Sequence, residues 1–319
     1  MMVKRFARII LVLLLVGWAA EARAFWMWTP QTKKWINPKY AVKDTPKEQL
    51  ATAMTYYNAK EYERAISEFK KLVHQFARSK EAPEAQYYMG LSYEATGRYY
   101  EAYQAYQKAL EEFPYTERFD EMVERQYHVG EFFYGGAKVK VWKIPLYPSY
   151  EKAAEIFQKI TDNAPFGKFA DKAQYMAGEA YKKANMYNEA SLAFMKVLNN
   201  YPKSEYAERA KFQVAYCSLK ASPLPGYDDQ TTEKAIEEYR SFIEEHPGSE
   251  FVNDAKDALN LLLEKKAEGD YKVAEFYDKQ NKLDSAKVYY ADIVSKYPNT
   301  TWAASARERL RAIKAALGE

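Results

Sequence analysis

Catalytic raw material is scarce in this 319-residue chain. It holds one cysteine, Cys217, and three histidines, His74, His128 and His246, far apart in sequence. A single cysteine excludes an intramolecular disulfide, and buried in a helix it acts as a small hydrophobe. No histidine sits in an H-E-x-x-H pattern or beside a cysteine pair, so no metal site is expected. The glycine patterns of P-loops, dinucleotide folds and G-x-S-x-G nucleophile turns are missing too; Gly135-Gly136 fits a helix stop instead. Carboxylates gather only as in Glu61, Glu63 and Glu68 or Glu237, Glu238, Glu244 and Glu245, the spacing of solvated helix faces. These absences point to a protein that is not an enzyme and carries no cofactor.

Excess charge of one sign is also lacking once the N-terminus is set aside. Residues 1–24 hold Lys4, Arg5, Arg8 and Arg23 against Glu21, a net of +3; the whole chain carries +3, so the remainder comes to zero. Nothing draws that remainder toward nucleic acid. No apolar run is long enough to cross a bilayer comfortably. The run from Ile9 to Ala20 is about 12 residues, follows the basic Lys4, Arg5 and Arg8, and leads into Ala22-Arg23-Ala24. Small residues at −3 and −1 complete the pattern of a secretory signal peptide over residues 1–24. The expected location is the periplasm, with an uncleaved anchor as the alternative. The signal region contains no cysteine for lipidation.

Tyrosine is abundant: 29, against 16 Phe and 6 Trp. An amphipathic ring suits a thin, two-layer array in which the ring is buried and the hydroxyl stays near water. The tyrosines also recur in register. Gln86, Tyr87, Gly90, Tyr93, Ala102 and Pro114 stand 88 residues before Gln174, Tyr175, Gly178, Tyr181, Ala190 and Pro202. Small and aromatic residues at this spacing over a unit of about 34 residues form the tetratricopeptide signature. A Gly or Ala at the eighth position lets the two helices of a repeat approach, and a proline ends the second helix.

Six copies are read along the chain. The first spans about 47–77 and lacks the terminal proline, having Phe76-Ala77 in its place. The second spans 82–114. The third, 118–165, is split by an insert at 137–148 in which Lys138, Val139, Lys140 and Val141 alternate like a strand. The fourth covers 168–202, the fifth 204–247 with an insert at 222–231, and the sixth begins with one long helix from Glu250 to Lys279. The expected fold is all-α: a right-handed α-α superhelix of about six tetratricopeptide-like repeats, closed by a polar capping helix over 300–317. The expected organisation is a signal peptide (1–24), a Trp/Pro-rich arm (25–46), N-terminal repeats (47–117) and a core of repeats with the cap (118–319).

Two surfaces are candidates for binding. The fifth position of each first helix is Leu50, Tyr87, Tyr127, Tyr175, Phe212 and Tyr271. This aromatic ladder either lines a peptide-binding groove or packs between neighbouring helices; Tyr87, Tyr127, Tyr175 and Phe212 are its candidate binding members. In the arm, Trp26, Trp28 and Trp35 crowd near Lys33 and Lys34. That combination favours a membrane interface or a partner groove, or else an extended arm packs its indoles on the first repeat.

One stretch carries a more specific resemblance. Ala164-Pro165-Phe166-Gly167, Tyr227-Asp228-Asp229-Gln230, the run Asp270 to Tyr277 (DYKVAEFY) and Lys296-Tyr297-Pro298-Asn299-Thr300 make residues 149–317 resemble the BamD family of outer-membrane β-barrel assembly subunits. The resemblance implies a periplasmic scaffold that docks on a BamA-like insertase and receives unfolded outer-membrane proteins. It puts Tyr175 and Phe212 on the substrate side and Asp270 to Tyr297, with Tyr271, Tyr277 and Tyr297, on the insertase side. Members of that family are lipoproteins, whereas this chain has no lipobox cysteine, and about two repeats precede the matching stretch. The alternative is a periplasmic adaptor of another envelope complex, Tol-associated or concerned with envelope biogenesis.

Overall fold

The computed structural model describes residues 27–29, 34–36, 41–141, 144–221 and 229–318. The expected signal peptide, Trp26 and most of the 222–231 insert lie outside them. The chain forms two compact units, residues 1–118 and 119–319.

In the first unit, two short strands, β1 (Met27–Thr29) and β2 (Lys34–Ile36), pair antiparallel. Two helical hairpins follow: α1 (Pro46–Asn58) with α2 (Tyr62–Gln75), and α3 (Ala82–Ala95) with α4 (Tyr99–Glu112). Helix α1 starts where sequence chemistry puts a start. The Thr45 hydroxyl accepts from the Glu48 N–H at 3.2 Å and Pro46 occupies the first turn, where a missing donor costs nothing. Each helix packs on the next in sequence, and α1 also touches α3.

The second unit continues the scheme. Helix α5 (Phe119–Tyr134) is followed by an antiparallel hairpin, β3 (Lys138–Val141) and β4 (Ile144–Pro148). Then come α6 (Tyr150–Asn163), α7 (Ala170–Lys183), α8 (Tyr187–Asn200), α9 (Ala207–Ala221), α10 (Asp229–Glu245), α11 (Val252–Lys279), α12 (Leu283–Lys296) and α13 (Thr301–Leu317). Consecutive helices pack on each other throughout, and α13 closes the stack against both α11 and α12. The fold is the tetratricopeptide helical array that the register of the repeats predicts.

The repeated residues account for the repeated geometry. Gln49, Gln86, Gln126 and Gln174, each four residues before the small eighth-position residue, are all buried. Gln49 and Gln174 donate to main-chain carbonyls of the second helix, Glu68 and Ala193, at 3.0 Å. Such bonds satisfy a buried amide and fix the helix pair in register. At Gly130 and Gly178 an added Cβ would lie 2.7 Å from the Phe157 ring and 2.6 Å from the Phe194 ring, so only glycine admits the rings there. The turn between paired helices needs one left-handed residue, supplied by Lys60, Gly97, Asn185 and Asn281 at φ 60°, 73°, 60° and 58°.

The second helices end alike. Phe113, Ala164, Tyr201 and Tyr297 leave the helical region with φ between −127° and −137°, as expected of residues preceding proline. Phe76 does the same at φ −122° with alanine after it, so packing of the next repeat ends α2 without that constraint.

Helix α11 has 28 residues, about 42 Å at 1.5 Å per residue, and serves two repeats. Val252, Ala255 and Leu262 belong to the core of the fifth repeat, while Ala267 and Ala274 belong to that of the sixth. Two elements differ from the sequence reading. The tryptophan arm contains a paired hairpin that the sequence reading did not include, and α10 begins at Asp229, inside the stretch read as an insert.

Candidate partner-binding site

The ladder rings each make contacts of two kinds. The first is to the second helix of the same repeat: Tyr87 to Tyr106 (6.2 Å between centroids), Tyr127 to Phe157 (5.4 Å), Tyr175 to Phe194 (5.4 Å), Phe212 to Phe242 (5.7 Å) and Tyr271 to Tyr290 (5.3 Å). The second is to a residue at the head of the next repeat. Tyr127 stacks on Phe169 at 4.9 Å, Tyr175 on Tyr206 at 5.2 Å and Phe212 on Phe251 at 5.3 Å, while Tyr271 meets Trp302 at 5.0 Å with the rings tilted by 47°. Tyr87 is covered by the Arg118 guanidinium at 4.6 Å. These separations lie in the favourable range for offset or tilted aromatic pairs, each adding about 0.5–1.5 kcal/mol beyond burial.

Tyr87 and Tyr127 are buried, at 7 % and 2 % exposure, whereas Tyr175, Phe212 and Tyr271 are half-buried. Burial pushes the hydroxyls of Tyr127 and Tyr175 well above the ordinary tyrosine range. These phenols stay neutral and can donate hydrogen bonds at physiological pH. Within the second unit a ladder ring therefore joins one repeat to the next, and in the fourth, fifth and sixth repeats part of it also stays open to solvent.

Around those rings lies a set of cations that sequence reading missed. Lys172, Tyr175, Glu179, Lys182 and Lys183 recur at the i, i+3, i+7, i+10, i+11 spacing of one face of α7. Arg209, Phe212, Tyr216 and Lys220 do the same on α9. Lys172 lies over the Tyr127 ring at 4.9 Å, and Lys183 over Tyr134 at 3.7 Å and Tyr150 at 5.4 Å. Lys182 and Lys220 lie 5.8 Å and 5.7 Å from the centroid of Tyr216. Within this set, Lys182 is held by Glu179 at 2.7 Å and Gln213 at 2.9 Å, and Arg209 by Glu250 at 3.2 Å. The available signal was the register: Lys183 and Lys220 close equivalent helices of successive repeats. The face offers aromatic area rimmed by ammonium groups, which suits a chain segment bearing carboxylates.

The other candidates are scattered. Tyr277 is half-buried and stacks on Tyr289 at 5.2 Å with planes 9° apart. Tyr297 is buried, and its hydroxyl donates to Asp270 at 3.0 Å. Near Tyr277, Val273, Phe276 and Val288 are exposed. In the arm, Trp28 and Trp35 face each other across β1 and β2 at 5.8 Å and remain 48 % and 62 % exposed. Cys217 is buried, and that burial pushes its thiol up to about 12. Among the described residues no three of His, Cys, Asp and Glu converge as a metal set, and no helix is long and apolar enough to cross a membrane.

Comparison with known proteins agrees with the helix packing. A family model described as outer membrane lipoprotein (YfiO, the family of BamD) matches residues 147–286. Tetratricopeptide repeat models match residues 49–79 and 83–115. Among curated proteins there is no significant match. The chain is similar to a solved MamA structure (41-end) from Desulfovibrio magneticus RS-1 at 16 % identity, over 66 % of this chain and 99 % of the other, with a TM-score of 0.30. It is also similar to the C-terminal part of a TPR repeat-containing protein from Cytophaga hutchinsonii, at 18 % identity over 82 % and 88 % with a TM-score of 0.33. A third likeness is a tetratricopeptide repeat protein from Parabacteroides merdae, at 14 % identity over 84 % and 98 % with a TM-score of 0.32. Overlaps of this quality leave the fold assignment to the helix packing and the repeat models. Those models describe a tetratricopeptide protein-interaction scaffold, BamD-like over its matched stretch.

Proposed function

We propose that the protein is a non-catalytic periplasmic scaffold of the outer-membrane β-barrel assembly machinery. It binds a BamA-like insertase and takes up unfolded outer-membrane proteins. The observation that carries this reading is the outer membrane lipoprotein model over residues 147–286, which covers most of the stretch whose residues resemble BamD. In this reading the half-buried rings of Tyr175 and Phe212, with their rim of lysines, meet the unfolded client. The end of the second unit around Tyr271, Tyr277 and Tyr297 meets the insertase. Trp28 and Trp35, exposed on their hairpin, give peripheral contact with a membrane.

A second reading rests on the repeats at 49–79 and 83–115. They fall outside the lipoprotein match and have the same two-helix build as repeats that bind proteins. They suit a periplasmic adaptor of another envelope complex. Crosslinking in envelope fractions, then affinity capture and mass spectrometry, separates the two readings. Recovery of a BamA-like barrel protein as the dominant partner is expected. A different envelope complex in its place, with no barrel insertase, would sink the assembly role and favour the adaptor.

A further inference from the structure

The hairpin between α5 and α6 has two unlike edges. Gly136, in the left-handed conformation at φ +88°, ends the first helix of the third repeat and directs the chain into β3. Strands β3 and β4 pair antiparallel, with Lys138 opposite Pro148, Lys140 opposite Pro145 and Val141 opposite Ile144, and a register shift between Lys138 and Lys140. The Ser149 N–H donates to the Ala137 carbonyl at 3.3 Å, so residues 137 and 149 are a hydrogen-bonded pair. Opposing residues in an antiparallel ladder alternate between bonded and non-bonded pairs. Lys138 and Pro148 are therefore a non-bonded pair whose backbone groups point away from the partner strand.

Proline identifies the second such pair. Lacking an N–H, it is confined within sheets to positions where no donor is needed, and Pro145 stands opposite Lys140. The two edges thus differ in what they offer. Along β4 the outward positions are Pro145 and Pro148, which have no donors. Along β3 they are Lys138 and Lys140, each with an outward N–H and C=O at the i, i+2 spacing of a ladder. Among the described residues this sheet has only its two strands, so the β3 edge is unpaired. A two-stranded hairpin is marginal in water and gains from a third strand.

We infer that the outer edge of β3 is a docking edge for an extended acidic segment of another protein, which adds to the hairpin as a third strand. The charge of the occupant follows from composition. Residues 137–148 carry Lys138, Lys140 and Lys143 and no carboxylate, and opposite charges directly across a ladder attract while like charges repel. A second copy of this chain pairing through the same edge would set lysine against lysine, which disfavours self-association. Main-chain bonds provide the affinity and alternate side chains the choice of partner. This edge is independent of the ladder face and of the assembly reading, and it holds for any envelope partner with such a segment.

The test uses the full chain and a fluorescein-labelled peptide, Thr-Glu-Val-Glu-Val-Glu-Val-Thr, followed by fluorescence anisotropy. A second peptide of the same sequence carries N-methyl groups at alternate positions, which removes ladder donors and keeps the charge. In the protein, Lys138→Pro with Lys140→Pro removes the outward donors without removing a hairpin bond, while Lys138→Gln with Lys140→Gln removes charge and keeps the donors. The expected result is binding of the unmodified peptide, weakened about tenfold or more by N-methylation and by the proline pair. The glutamine pair should bind several-fold more weakly and lose most of its salt dependence. Equal binding of the two peptides, or wild-type affinity in the proline pair, would overturn the inference in favour of plain charge attraction. A dimer in sedimentation that the proline pair disperses would overturn it in favour of a second copy.

Discussion

The two units use the same ring differently. In residues 119–319, Tyr127, Tyr175 and Phe212 each stack on an aromatic at the head of the following repeat, namely Phe169, Tyr206 and Phe251, and Tyr271 packs at a tilt against Trp302. In residues 1–118, Tyr87 is instead capped by the Arg118 guanidinium, which also ion-pairs with Glu84 at 3.7 Å. Arg118, Tyr206 and Trp302 all lie 31 residues after their ladder rings, so the position is equivalent and only the chemistry changes. A stacked ring contributes apolar burial as well as π contact. A cation over a ring, still 31 % exposed, contributes less and weakens with salt. The ring contact is therefore expected to be stronger at the stacked rings of the second unit than at Tyr87 in the first.

Removing a ladder ring should have the largest effect. Tyr175→Ala deletes contacts to both Phe194 and Tyr206, and the loss should be about 3–4 kcal/mol in urea unfolding. Changing Tyr87, Tyr127 and Tyr175 together to Ala separates the two uses of the ladder. If the remaining folded protein binds peptide normally while stability collapses, the rings serve packing alone. Loss of peptide binding in folded protein would assign them to the groove. Gly178→Ala comes next, since its Cβ would meet the Phe194 ring at 2.6 Å. About 1–3 kcal/mol should be lost as the helices are forced apart. An unchanged urea midpoint would mean that the pair has room the structure does not show.

The small and aromatic register was legible in the sequence because each of those residues answers to its own repeat. Gly90, Gly130 and Gly178 face rings about 16 to 27 residues further on, a local relation that spacing preserves. The ladder's second contacts were not legible. They depend on how one repeat rotates against the next, and the inserts at 137–148 and 222–231 shift Phe169 and Phe251 to 42 and 39 residues after their rings. The lysine rim was hidden for the same reason: Lys182 and Lys183 read as ordinary surface until Tyr134 and Tyr216 are brought beside them. The strand period at 138–141 was visible, whereas the pairing of β1 with β2 was not, because a three-residue strand is too short to show alternation.

A gentler comparison sets the two joints directly against each other. Arg118→Ala should cost about 1 kcal/mol, the sum of an exposed cation–π contact and a surface ion pair. Tyr206→Ala should cost more, and only Arg118→Ala should lose its effect at high salt. Both are read from urea midpoints at low and high ionic strength. Equal costs with equal salt response would remove the distinction between the units.

The smallest effect should be a gain. Lys60 adopts the left-handed conformation at φ 60° in the first repeat's turn, where the second repeat has Gly97 and the fourth and sixth have Asn185 and Asn281. An ordinary side chain there costs about 1–2 kcal/mol, while asparagine tolerates the region and glycine has no Cβ to clash. Lys60 is exposed, so replacing it removes no packing. Its N–H, which donates to the Tyr57 carbonyl at 2.9 Å, is kept in any non-proline variant. Lys60→Gly should therefore stabilise the first unit by about 0.5–1 kcal/mol, the relief of strain exceeding the added freedom of the unfolded chain. Asn185→Gly in the second unit should change stability much less, since asparagine already fits. A loss of stability in Lys60→Gly would mean that the lysine side chain contributes more in this turn than its backbone strain costs.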